Sequence, residues 1–148
     1  MSRWTFEVTP DTLSRAEKDH LAKAITDNYV KLGIPTFLVN VFFHKNRIGT
    51  FYSGGKTPPN TVFFVLDHAA RSFPSEEARF AFIESVRIVE PVLAPKGVMW
   101  EYNIYEHPPD NWRVNGMVPP IQDKDLWEQW MKRDEAVMSR LYQQRLFQ

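Results

Sequence analysis

The residues able to do chemistry in this 148-residue chain are few, and their spacing excludes most familiar sites. No cysteine is present, which removes thiolate catalysis, disulfides and sulfur-rich zinc sites. The four histidines, His20, His44, His68 and His107, form no H-x-x-x-H or similar pair, so no metal ion is expected. Gly54-Gly55 reads as a turn rather than a phosphate cradle, and no G-x-S-x-G elbow occurs. No cofactor is expected. One constellation stands out: Asp67-His68-Ala69-Ala70-Arg71, between an apolar run and the start of a helix. The carboxyl ends of strands are where α/β sheets place ligands, and an arginine near a helix N-terminus can grip a carboxylate through two parallel hydrogen bonds. The alternative is an ordinary surface arginine paired with Glu76 or Glu77.

The elements that must position this constellation are legible from period and punctuation. Trp4, Phe6 and Val8 alternate with Thr5 and Glu7, the period of a half-buried strand. Ser14-Arg15-Ala16-Glu17 reads as a capping box opening a helix, with Leu21, Ile25, Asn28 and Leu32 as its inner stripe and Gly33 before Pro35 as its stop. Residues 37–43 are apolar on both faces except for Asn40, which predicts a strand covered on both sides with Asn40 paired to backbone in the core. After a Gly- and Pro-rich loop the pattern restarts. Residues 62–66 read as a second two-sided strand. Ser75-Glu76-Glu77 opens a helix whose stripe is Phe82, Val86, Val89 and Leu93, with Pro91 kinking its last turn and Gly97 ending it. Trp100, Tyr102 and Ile104 alternate as a fourth strand. Residues 123–146 read as a final amphipathic helix with Trp127, Trp130, Met131 and Val137 inside.

The helix starts at 14 and 75 and the following strands at 37 and 99 keep nearly the same spacing. This predicts one domain, residues 1–148, made of two fused βαβ units (4–43 and 61–106) and a C-terminal extension (107–148). The fold class is α/β (α+β), a four-stranded sheet with two helices on one face plus a C-terminal helix, and each crossover is expected to be right-handed. With both crossover helices on one face, the other face would present apolar side chains, predicting burial against identical subunits unless the final helix covers it. Lys plus Arg equals Asp plus Glu at 18 each, so no net field draws the chain to nucleic acid or anionic lipid. Residues 1–4 lack the apolar run of a signal peptide, and no segment approaches the length of a membrane span. The expected location is cytoplasmic.

In this frame the chain resembles the tautomerase superfamily, in particular the group around cis-chloroacrylic acid dehalogenase. The matching stretches are residues 22–27, 37–41, 53–55, 61–71, 100–102 and 115–120, in order through nearly the whole chain. The resemblance implies a homotrimer with sites near subunit contacts, acting on small carboxylated substrates through an N-terminal proline exposed by loss of the initiator Met. A ring amine in an apolar, cationic pocket has a lowered pKa and carries protons near neutrality. Here Ser2 follows Met1. By the same resemblance Trp4 takes the place of an early pocket tyrosine and Tyr29 that of a helix histidine contacting substrate. Arg71 matches one of two substrate-gripping arginines, with Ala69 in place of the other. Tyr102 matches a pocket tyrosine. Val114 or Asn115 lies where the water-activating glutamate would be, so hydrolytic dehalogenation is not expected. His68 and Asn115 complete the candidate set. Each has a plain alternative: Trp4 and Tyr102 as strand aromatics, Tyr29 as a packing residue, Asn115 as a loop former.

Three functions are compatible with these residues. The first is a family member that keeps a small-carboxylate pocket but has weak or absent proline chemistry. The second is an active tautomerase of small oxo acids that uses the Ser2 amine after removal of Met1. The third is a non-catalytic oligomeric scaffold.

Overall fold

Alternation along residues 2–8 places every second side chain on one face, and that face is where the core forms. In the computed structural model, which describes residues 1–69 and 73–137, β1 (Ser2–Val8) buries Ser2, Trp4, Phe6 and Val8. α1 (Arg15–Lys31) follows, then β2 (Val39–Lys45) and β3 (Thr61–His68). α2 (Glu76–Ser85) and the short α3 (Glu90–Leu93) precede β4 (Met99–Glu106), and α4 (Lys124–Arg133) closes the described chain. The sheet order is β2-β1-β3-β4. β1 runs parallel to β2, β3 parallel to β4, and the first strands of the two halves meet antiparallel at the centre. The duplicated βαβ pattern is therefore present in space. It extends into the loops, where Ser53–Lys56 and Val114–Met117 close equivalent tight turns after β2 and β4.

Local signals act where they were read. Ser14 caps α1 through the Glu17 amide, and the Glu17 carboxylate accepts from the Ser14 amide at 2.7 Å. Lys96 and these cap contacts hold the Glu17 carboxyl down at about 2. Gly97, with φ of 63°, ends the second crossover in the left-handed region.

Several expectations are corrected. The inner row of α1 is Leu21, Ile25 and Tyr29, all fully buried, and Leu32 is 50% exposed. These buried positions repeat at i, i+4, and Leu32 lies beyond the last helical turn. Residues 36–38 form a 3-10 turn closed by the Leu38 N–H on the Pro35 carbonyl, so β2 begins at Val39 and not at 37. β2 is an edge strand, and Asn40 is exposed rather than paired in the core. Phe82, Val86, Val89 and Leu93 are all buried, but on a broken path: 3-10 turns at Val86–Val89 and Ala94–Lys96 flank α3. Pro91 sits at the start of α3, where its missing N–H is harmless, and not in a kinked last turn.

α4 is shorter than read. Its end is fixed by Asp134, which takes a φ of 53° and whose carboxylate accepts from the Thr36 hydroxyl and the Phe37 amide. Of the inner residues expected there, Trp130 is buried and Trp127, Met131 and Val137 are half-buried; residues 138–146 lie outside the described residues. Trp127 donates to the Gly33 carbonyl at 3.1 Å and Trp130 packs on Phe37 with ring centroids 5.6 Å apart. α4 is thus anchored beside the end of α1. The second sheet face keeps Phe42 and Tyr105 exposed at 45% and 51%. No described helix is long and apolar enough to cross a membrane.

Candidate functional site

Pairing of β1 with β3 brings Ser2 opposite His68. This register, fixed by the alternating apolar face, puts the start of the chain beside the end of the Asp67-His68 constellation. The Met1 carbonyl extends the ladder by accepting from the Ala69 amide at 3.0 Å. Met1 and Ser2 are both buried, and burial lowers the Met1 amine from 8.0 to about 5.

Three buried polar side chains meet here from distant parts of the chain. Trp4 Nε1 donates to the Tyr29 hydroxyl at 3.3 Å, and that hydroxyl lies 3.4 Å from His68 Nδ1. Burial raises the Tyr29 pKa, with Ser2 and Trp4 pulling weakly the other way. Ser2 Oγ is near enough to exert this influence but lacks hydrogen-bond geometry, so among the described residues it has no partner. The surroundings are aromatic: His68 stacks on Phe73 at 5.0 Å with an interplanar angle of 3°, and Phe82 lies 4.4 Å from the imidazole centroid.

Above this cluster, between α1 and α2, opens a cleft of about 420 Å³. His68, Phe73, Phe82, Ile34, Asn28 and Ser85 are among its lining residues. Asn28 donates to Ser85 Oγ at 3.2 Å across it. An apolar cleft with a few converging polar groups suits a small organic ligand with one or two oxygen functions. A larger cleft, about 550 Å³, lies at the other end of the sheet among Thr9, Asp11, Asn46, Arg47 and Asn60. It contains none of the candidate residues.

The structure therefore brings Ser2, Trp4, Tyr29 and His68 together. Tyr102 does not join them: it pairs in register with Phe64, stacks on it at 5.2 Å, and has its pKa raised by partial burial and by Glu84 and Glu90. Asn115 is exposed on the Val114–Met117 turn, where its φ of 51° explains the residue type. Arg71 lies outside the described residues; of its two alternative partners, Glu76 is held by Arg79 at 2.6 Å. Phe73, Phe82, Asn28 and Ser85 line the cleft without having been read as site residues. Phe73-Pro74-Ser75, an aromatic at the strand-to-helix connection, was the available signal. Among the described residues, no group of three His, Asp or Glu side chains could hold a metal.

Comparison with known proteins follows the same lines. The family model described as "Putative oxalocrotonate tautomerase enzyme" matches residues 1–135. A "probable enzyme" from the thermophilic fungus Aspergillus fumigatus is 37% identical, with a TM-score of 0.89 over 94% of this chain and 98% of that one. Native RhCC from Rhodococcus jostii RHA1 is 32% identical, with a TM-score of 0.86 over 93% and 99%. N1, a member of the cis-3-chloroacrylic acid dehalogenase family, shares the fold at 20% identity, with a TM-score of 0.69 over 98% of each chain. A search of curated protein sequences returned no match.

Proposed function

This chain belongs to the oxalocrotonate tautomerase family, and from that premise we propose that it binds a small carboxylated acid in the cleft over His68 and has weak or absent proline-dependent tautomerase and dehalogenase activity. The observation that carries this reading is the head of β1. Ser2 stands there, fully buried, at the position where the family resemblance expects the proline. Serine has no ring amine to offer. The cleft supplies the binding half: apolar walls, with His68 at hand and Arg71 following in sequence as the candidate grip on a carboxylate. Trp4 and Tyr29, which meet His68, keep as part of this proposal the pocket roles that the family pattern suggests.

The test is enol-to-keto conversion of phenylenolpyruvate by the wild type and by Ser2→Pro, with intact mass reporting whether Met1 is present. The expected result is little turnover by the wild type. Turnover by the wild type at the rate of a proline-bearing relative rejects the reading.

One observation favours an active second reading. The Met1 amine, lowered to about 5 by burial, is neutral at physiological pH and has its lone pair in place. If that amine or the Ser2 amine left by Met1 removal does chemistry, borohydride with a small 2-oxo acid will trap a covalent adduct at the terminus. An unlabelled terminus rejects it. We also infer self-association through the open sheet face, because Phe42 and Tyr105 remain exposed there, and a homotrimer as its form, because the family resemblance implies one and a fused 4-OT of the same fold is a symmetric trimer. Sedimentation equilibrium giving a monomer at micromolar concentration would exclude it.

A further inference from the structure

We propose that the open sheet face docks on a second copy of this chain, with Arg3 of one copy entering a small cleft beside Glu101 of the next. The proposal rests on the inferred self-association and names the contact that directs it.

Alternation turns the odd-numbered side chains of β1 away from the core, and the strand registers extend those rows across all four strands. The acidic, basic and histidine side chains in the rows are Arg3, Glu7, His44, Asp67 and Glu101. Most are matched within the chain. A Glu7 oxygen lies 2.8 Å from His44 Nδ1, and the other accepts from Asn46 at 3.1 Å. Asp67 lies 2.7 Å from His107 Nε2. Two remain, and they are opposite in sign. Arg3 and Glu101 are exposed, and among the described residues neither makes an ion pair or a side-chain hydrogen bond.

These two cannot meet on one copy. Arg3 is in register with Asp67, and Glu101 with Phe63, four residues away and across β3, a separation of roughly 16 Å. Covering the face with either charge unpaired would be costly, whereas pairing them between copies removes both penalties. Each copy then offers Arg3 to one neighbour and receives another's beside Glu101, the head-to-tail contact that closes a ring.

The two sites fit one another in size and chemistry. Glu101 lines a cleft of about 200 Å³ with Phe51, Tyr52 and Met99. Small-molecule sites run to about 300–1,000 Å³, so this one suits a single long side chain. A carboxylate beside aromatic rings selects a cation. It favours a guanidinium, which bonds the carboxylate through two hydrogens and stacks on a ring. Among the described residues Arg3 is the only lysine or arginine in the outward rows. Its guanidinium sits 5.2 Å from the centroid of the Trp112 ring, which orders it before docking. Tyr52 and Met99, exposed at 59% and 47%, are covered by the same contact.

The test is a charge swap read by sedimentation equilibrium at micromolar concentration. The wild type, Arg3→Glu, Glu101→Arg and the double variant are compared, with far-UV circular dichroism reporting that each is folded. The wild type should associate. Each single reversal should raise the dissociation constant at least roughly tenfold, and the double reversal should restore most of the loss. Glu101→Gln, which keeps the shape and removes the charge, should weaken association in the same direction and serves if a reversal does not fold. Equal association by wild type and the single variants overturns the contact and leaves self-association standing. Losses that the double reversal does not recover overturn the pairing. A wild type that stays monomeric overturns the self-association reading and the contact together.

Discussion

The buried amine at Met1 makes stability depend on pH in a direction and amount that can be worked out. Its ordinary pKa of 8.0 falls to about 5 in the fold because burial disfavours the charged form. Between these values the unfolded chain binds a proton that the folded chain does not, so stability increases with pH across this window. Below the folded value both states are protonated and the full penalty is present; above the unfolded value it vanishes. Integrated from about pH 6 to about pH 8.5, the gain is about 2.5 kcal/mol, with a slope approaching 1.4 kcal/mol per pH unit near the acid end. The assay is urea denaturation at fixed protein concentration over that range, repeated on Nα-acetylated protein, which has no amine to titrate. Acetylation changes the absolute stability, but the slope should flatten. A wild-type midpoint that does not move between pH 6 and pH 8.5, or an equal slope after acetylation, would refute the claim that this amine is buried in the native state.

Two further predictions concern the frame around the site. Leu21→Ala removes a fully buried side chain from the α1 row beneath Tyr29 and should cost about 2–5 kcal/mol in chemical denaturation. Gly97→Ala meets no atom within 4 Å but must adopt a φ of 63°, so a loss of about 1 kcal/mol is expected from backbone strain alone. Gly97→Asn should recover part of it, which thermal melts of the two variants will show.

The chain's structure is legible in its sequence where the information is local. Ser14 and Glu17 are three residues apart and close their capping box within one turn, independent of the rest of the molecule. The same holds for alternation in β1 and for Gly97. Asn115-Gly116 is a local signal too, and it specifies a turn. The resemblance also carried over to the whole fold, because the order of elements survives where individual residues do not.

The site was less legible. Trp4 and Tyr29 are 25 residues apart and Tyr29 and His68 are 39 apart, and nothing in their neighbourhoods says they meet. The period of α1 fits Asn28 and Leu32 as well as Tyr29, because a period alone does not say which of two adjacent rows faces the sheet.

By itself the chain's residue order determined the identity and approximate bounds of the strands and first helix, through period, caps and positive-φ glycines. Only the tertiary structure decided that β1 and β3 pair centrally, that α4 docks beside α1 and leaves a sheet face open, and that an indole, a phenol and an imidazole share one buried hydrogen-bond path. The reason is range: caps and periods act within a turn or two of backbone, whereas pairing order and side-chain convergence are settled by burial among segments far apart in the chain.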